Sequence, residues 1–529
     1  MSLLEPQLIF PHVGGINRIA AREALPDHET DDTINTYPDH DGLLKRPGTV
    51  QTIATRITTD ARGIFDMVRF AMIPFDDIGS LVTDSLYCLY NRSGSTFLAI
   101  ARLNGADFSS FAEIINEVDS SVPPGVDIGS AELIPASFDM IQVTTRRDGA
   151  VNAERKLEFR GATGLFQISA NTTQGAYRTA AWHRDHLIGA DAGVDRRVHE
   201  FGWSDTADPR THPALNREDI RPFGHQDHLT GVKSIGDILY LIKQTSLWAM
   251  TGAAQELWRL ERLTTSIGGF SSKSAVDVGG VMMGIAVAPT WGEGANAGSQ
   301  YPDNIYAVKG FAVDLVGHKV RPIIQAAFPQ QIPPSDGEMD DKNQKAVYWA
   351  SRELALFFLK TPLSTERTSE AVVFSKTNGT WWNWTFPSTT AGPNSAEYHN
   401  RTIYLGGKDG RIRNFVDSAP DDDGTTFVSQ WTSRRIFGPD REKKYALEST
   451  IIKGAQTSGG NSTVAVAREE GGFVTVFSPT LGSTSRGEFK KLNGFNSARY
   501  WRIRVTFPTA GVQSKIRWVQ YQLKDMGKI

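Results

Sequence analysis

Ile403-Tyr404-Leu405-Gly406-Gly407-Lys408-Asp409-Gly410-Arg411-Ile412-Arg413 joins an apolar-Tyr-apolar triplet to a second short strand through a glycine-bearing turn. The Asp-Gly pair suits the positive φ angles of a type I′ hairpin turn. The same unit recurs upstream. Leu239-Tyr240-Leu241 precedes Ser246-Leu247-Trp248, and Ile305-Tyr306-Ala307 precedes a Lys309-Gly310 turn and Phe311-Ala312-Val313. Val347-Tyr348-Trp349 precedes Leu354-Ala355-Leu356-Phe357-Phe358. Short runs rich in Val, Ile, Tyr, Trp and Phe, separated by Gly, Asp and Asn, read as strands and turns. The four tyrosines lie 66, 42 and 56 residues apart. A four-stranded propeller blade takes roughly 40–50 residues. The expectation is therefore an all-β chain built on a six-bladed β-propeller with insertions. Unrelated hairpins in stacked sandwiches would give a similar pattern.

The propeller is expected over residues 61–425, with an inserted subdomain near 102–160. Phe111-Ala112-Glu113-Ile114-Ile115-Asn116-Glu117 within that insertion reads as a short helix. Residues 1–60 carry many Pro and Gly and little periodicity, which suggests an extended arm ordered by lying on something else. Strict alternation in Ser462–Ala467 and Tyr500–Val505 marks a half-buried antiparallel sheet. Residues 426–529 are accordingly expected to form a C-terminal β-sandwich.

Charge is uneven. The whole chain has a net charge of −3, whereas residues 426–529 hold 17 basic and 7 acidic residues, a net of +10. A basic surface is expected around Arg486, Lys490, Lys491, Arg499, Arg502 and Arg504, facing an acidic protein or nucleic acid. A solvated sheet face is the plainer reading of each residue. The single cysteine, Cys88, sits in a strand-like run and reads as a core thiol; disulfide stapling is excluded. The first residues lack the pattern of a signal peptide, and no apolar run reaches the length of a membrane span. The expected site of synthesis is the cytoplasm, with no membrane insertion.

The residues at the start of the chain are the most specific. They run Gly14-Gly15-Ile16-Asn17-Arg18, then Ala24-Leu25-Pro26-Asp27-His28-Glu29, then Asp41-Gly42-Leu43-Leu44-Lys45-Arg46-Pro47-Gly48. This opening resembles that of the tail nozzle proteins of short-tailed bacteriophages, called tail tubular protein B or packaged-DNA stabilisation protein. Arg184–Ala190 with Phe201–Asp205, and Ile267–Ser274, are looser matches to its blade segments. The resemblance implies a homohexameric ring below the portal and adaptor rings of the virion tail. It implies a central passage for double-stranded DNA and outer surfaces that hold tail fibres or spikes. It also implies that Gly14, Gly15, Ile16, Asn17, Pro26, Gly42, Leu43, Arg46, Pro47 and Gly48 dock the adaptor or a neighbouring subunit. No catalysis and no cofactor are expected.

Two other function classes compete, a propeller-type glycan hydrolase and a receptor-binding protein of the tail. The hydrolase predicts a deep polar pocket on the propeller axis holding two or three acids. Ser375–Trp382 is one degenerate copy of a sialidase Asp-box, with Thr377 where the Asp belongs. Trp381, Trp382 and Trp384 could stack on sugars in the receptor-binding reading, or face a core. His183 with His186, and His225 with His228, have His-x-x-His spacing, but the first pair lies in a strand-like run, where positions three apart point to opposite faces. Asp421-Asp422-Asp423-Gly424 lacks the remaining ligands of a calcium loop and reads as a polar turn. No phosphate-binding loop and no nucleophile elbow is present.

Overall fold

The computed structural model describes residues 3–526 except 21–23, 27, 31, 54, 60–62, 71–83, 92–97, 105–109, 116–131, 138–139, 146–152, 161–164, 169–176, 193–196, 221–228, 290–299, 328–344, 360–369, 387–392, 408, 456–459, 480–485, 489–496 and 510–513. The chain is all-β, and no helix among the described residues is long and apolar enough to cross a membrane.

Seven small antiparallel sheets follow one another along the sequence. The first holds Ile64–Phe70, Ser85–Asn91, Leu98–Asn104 and Ser110–Ile115. The second holds Glu132–Ser137, Met140–Thr145, Ala153–Arg160 and Leu165–Ile168. The third runs from Tyr177–His183 to Arg217–Asp219, and the fourth from Leu229–Ile235 to Arg259–Thr264. In the fifth, Gly268–Gly269 and Ala275–Asp277 both pair with Met282–Pro289, followed by Gln300–Lys309 and Ala312–Leu315. The sixth spans Ala346–Trp349 to Thr380–Thr385. The seventh takes Pro393–His399, Thr402–Gly407 and Ile412–Val416, and its fourth strand is Gly48–Gln51 from near the chain start.

Neighbouring small sheets touch, several of them through their first strands. Ile64–Phe70 packs on Glu132–Ser137, and that strand on Tyr177–His183, which packs on Leu229–Ile235. Farther on, Ala275–Asp277 packs on Ala346–Trp349, and the latter on Pro393–His399. Pro393–His399 also packs on Ile64–Phe70.

Two six-stranded sheets complete the chain. One is ordered Thr36–Asp39, Gly42–Lys45, Lys515–Asp525, Tyr445–Ala455, Arg486–Glu488, with Gln7–Ile9 also on Lys515–Asp525. The other is ordered Thr33–Ile34, Gln430–Thr432, Tyr500–Thr506, Thr463–Arg468, Val474–Phe477, with Ile436–Phe437 also on Tyr500–Thr506. One apolar core joins these sheets to the sixth and seventh small sheets. It runs from Trp431, Trp501 and Val519 to Trp384, Leu356 and Phe415. Tyr500–Thr506 alternates half-buried and buried residues along its length, as the period-2 pattern requires.

Several expectations change. Seven small sheets replace six, because residues 102–160 complete the first sheet and build most of the second instead of forming an insertion. Phe111–Ile115 is strand, not helix: its pairing with Leu98–Asn104 overrides a weak local propensity. The segment 1–60 is not a separate arm, since its strands are members of both large sheets and of the seventh small sheet. The tyrosine triplets lie at different sheet positions. Tyr240 and Tyr404 are on second strands, Tyr348 is on a first strand, and Tyr306 is on Gln300–Lys309. That explains the uneven spacing. At Gly410 only the glycine has positive φ, and Gly410 N–H donates to Gly407 O at 3.2 Å, a longer turn than type I′. Two-residue turns with positive φ at both positions lie at Arg184-Asp185 and Asn400-Arg401.

Candidate functional site

The first strands of six small sheets, with Ala275–Asp277 of the fifth, line one polar pocket of about 570 Å³. Asp66 lies at its centre and is almost fully buried. Its carboxylate accepts the Leu133 N–H at 2.9 Å. It stands 3.3 Å from Lys345 Nζ and 3.6 Å from Lys273 Nζ. Lys345 also faces Glu397 at 3.9 Å. Ser272 Oγ donates to Glu132 Oε1 at 2.9 Å, and Thr179 Oγ1 donates to Ser272 Oγ at 3.0 Å. With Lys233, Arg69 and Asp277 the lining holds four basic and four acidic side chains.

Burial works against every charge here, and the partners decide the outcome. Burial raises the Asp66 carboxyl, but the Lys273 and Lys345 ammoniums outweigh it and hold the group below its ordinary value. Burial pushes the Glu397 carboxyl up, only partly offset by Lys345. Burial would lower Lys345, yet Asp66 and Glu397 keep it above its usual value. Burial and then Lys345 lower Lys233. Burial likewise lowers Lys273, against the pull of Asp66. The sequence carried a signal for part of this site, because Asp66 interrupts the otherwise apolar run Ile64-Phe65-Asp66-Met67-Val68. Only the topology brings such residues together.

The residues singled out in the first 50 positions lie against their own chain. Ile16 is fully buried and its N–H donates to Trp381 O at 2.8 Å. Gly15 has φ +68°, and a Cβ there would meet Thr380 and Trp381. A Cβ on Gly14 would strike the backbone of His28 and Glu29. Asn17 Nδ2 donates to Glu29 Oε2 at 2.7 Å, while its Oδ1 accepts the Ile19 and Ala20 N–H groups at 3.1 Å. Pro26 is exposed, and its carbonyl accepts the Glu29 N–H at 3.1 Å. Gly42 and Leu43 are buried, with Leu43 paired to Ile516.

Arg46 is a buried charge whose guanidinium nitrogens all find acceptors. Nη1 donates to Asp422 Oδ1 at 3.0 Å, and Nη2 pairs with Asp422 Oδ2. Nε donates to Asn35 Oδ1 at 2.9 Å, Nη1 to Pro47 O at 3.0 Å and Nη2 to Thr385 O at 2.7 Å. Its guanidinium lies 3.7 Å from the Phe427 ring centroid. A Cβ on Gly48 would collide with Asp421 O. Of the residues expected to meet an adaptor or neighbour, Pro26 is exposed and Gly14 and Asn17 are half-buried, while the others are buried against their own chain. They tie the seventh small sheet to the large sheets.

The expected basic surface is scattered. Lys490 and Lys491 lie outside the described residues. Arg486 is in a short strand paired with Lys453. Arg499 is exposed, and its N–H donates to Glu469 Oε1 at 3.1 Å. Arg502 and Arg504 share one sheet face and flank Phe473, with centroid distances of 5.3 and 3.8 Å, and Arg504 pairs with Asp32 at 3.3 Å.

The other candidates resolve differently. Trp381, Trp382 and Trp384 are buried in the core, so none is available to a sugar. In the Asp cluster, Asp422 binds Arg46, Asp423 binds Arg413 at 3.0 Å, and Asp421 Oδ1 accepts the Gly424 N–H at 3.0 Å. His225 and His228 lie outside the described residues. His183 and His186 do not share a strand; they face each other across the Arg184-Asp185 turn. Their rings go to separate partners: His183 Nδ1 is 2.8 Å from Ser234 Oγ, and His186 Nδ1 is 2.7 Å from Ser204 O. Cys88 is buried in its strand, and burial pushes its thiol up to about 12.

Burial, and then Arg184, lower the His183 imidazole to about 4. The unfolded chain, at an ordinary value near 6.5, takes up this proton first as pH falls. The stability from neutral His183 is therefore complete above pH 6.5 and is lost progressively down to about pH 4. At roughly 1.4 kcal/mol per unit, the loss reaches at most about 3 kcal/mol. Urea denaturation of the parent and His183→Gln at pH 7 and pH 4.5 measures it. The parent is expected to lose more stability than the variant, and equal losses would refute the assignment.

Comparison of the chain with family models and with curated proteins finds no match to either.

Proposed function

We propose that this chain is a non-enzymatic structural subunit of a short phage tail, a nozzle component that retains packaged DNA and conducts it during ejection. In this reading the seven small sheets are the blades of a propeller, closed by the early strand Gly48–Gln51, and the two large sheets form a sandwich beside it. The observation that carries the proposal is the use made of Gly14–Asn17 and Gly42–Gly48. These two nozzle-like stretches are the ones that bind sheets from opposite ends of the sequence into one body. A subunit that must stay intact while DNA passes needs such cross-ties more than it needs a mobile site. Subunits would associate through heterologous faces that close into a homohexamer. Pro26, Arg499 and the Arg502–Arg504 face remain as surfaces for an adaptor, a neighbour or DNA, and tail fibres would attach to the outside.

Electron microscopy and mass photometry of the purified protein, alone and with the adaptor ring, test this reading. Closed rings around an open passage are expected. A protein that stays monomeric at micromolar concentration in both conditions, and never joins a tail, would end the proposal.

A further inference from the structure

We propose that the central pocket binds a neutral monosaccharide. Its volume of about 570 Å³ lies within the usual range for small-molecule sites. The four acidic side chains of the lining, Asp66, Glu132, Asp277 and Glu397, match its four basic ones, and Arg69 is taken by Asp84. A ligand with a net charge of either sign would break that match in a partly buried site, where an unmatched charge is costly. Some of these charges balance without touching. Glu132, Glu397 and Asp66 act on Lys233, yet among the described residues no hydrogen bond or ion pair reaches its Nζ. Lys273 and Lys345 are different, because Asp66 already holds both.

Hydroxyl groups suit such a lining. Each donates one hydrogen bond and accepts others, so it meets an ammonium on one side and a carboxylate on the other without adding charge. Glu397 faces Lys345 only at 3.9 Å. Glu132 accepts from Ser272 through Oε1, and among the described residues no protein group donates to its Oε2. Water would also supply hydroxyls, but it gains nothing from apolar surface. Trp182 and Tyr398 are half-buried in the same lining and add aromatic surface to it. Aromatic surface beside spaced donors and acceptors matches the C–H face and the hydroxyl rim of a sugar ring. Binding there requires neither ring assembly nor a tail.

Ligand-observed NMR titration of the full chain at pH 7 is the test. The probes are D-glucose, D-galactose and D-mannose, with D-glucuronate and D-glucosamine as charged counterparts. At least one of the three neutral hexoses is expected to bind, with both charged sugars at least about tenfold weaker. Lys233→Met is expected to weaken that hexose by about tenfold and to narrow its lead over glucosamine, because the lining then carries one excess negative charge. Glu132→Gln is expected to narrow the lead over glucuronate for the opposite reason. Binding of none of the three hexoses, a charged sugar as tight as the best hexose on the parent, or variants that leave affinity and ranking unchanged would each overturn the proposal. Should the variants fail to fold, acetylation of the parent by N-hydroxysuccinimidyl acetate, read by mass spectrometry, keeps the question answerable. The best-binding hexose should slow acetylation of Lys233 and leave the exposed Lys309 unaffected. Equal labelling of Lys233 with and without that hexose would refute binding there.

Discussion

Arg46→Met is expected to destabilise the protein by about 3–5 kcal/mol, the cost of leaving a buried carboxylate without its partner. The side chain is fully buried, and all three of its guanidinium nitrogens donate. Removing it strands Asp422, which then keeps only the Thr49 N–H and hydroxyl at 3.1 and 3.2 Å. It also releases Asn35 Oδ1 and the Thr385 carbonyl, which join the sixth sheet to the start of the chain. Arg46→Lys should be nearly as damaging, because an ammonium cannot reproduce the two-pronged contact with Asp422 or the stack on Phe427. Arg46→Met combined with Asp422→Asn should recover part of the loss, since no charge is then stranded. Chemical denaturation measures all four proteins. A loss below about 1 kcal/mol for Arg46→Met would show that the contact is incidental.

Asp66→Asn should act on a second interior network. Asp66 is the common counter-charge of Lys273 and Lys345, and its removal leaves two ammoniums facing each other in a confined space. A loss of about 3 kcal/mol or more is expected. Lys273→Met alone should cost less, because Asp66 retains Lys345. In the double variant Asp66→Asn, Lys273→Met the losses should fall short of additive by roughly 0.5–3 kcal/mol. A double-mutant cycle on denaturation midpoints reads that coupling. Strict additivity would mean the two residues do not share one network.

The sequence disclosed the fold class through local chemistry and concealed the assembly. Strands at Leu239–Leu241, Ile305–Ala307 and Ile403–Leu405 were legible because apolar alternation and turn glycines are local. The strand at Ser110–Ile115 was not, because its conformation is set by pairing with Leu98–Asn104 rather than by its own composition. The early segment looked irregular for a similar reason. Gly48–Gln51 becomes a strand only against Ile412–Val416, more than 350 residues away. The pocket was less legible still. Asp66 and Lys233 come from different sheets and Lys345 directly precedes a third, and no spacing rule links them. Arg46 stood out in the sequence, but as an outward contact; its partner Asp422 appeared only as part of an acidic turn.

Pairing of the earliest strands with the latest sets a timetable for synthesis. Gln7–Ile9 waits for Val519–Tyr521, and Thr33–Ile34 waits for Gln430–Trp431. While the ribosome works, the first six small sheets can close in turn, each from residues already made. Gln7–Ile9, Thr33–Ile34 and Gly48–Gln51 meanwhile wait for their partner strands, with backbone donors and acceptors open to any other strand edge. Such distant pairing is slow to find. Nascent chains of this protein therefore stand to benefit from a chaperone that shields the leading end until the last hundred residues emerge.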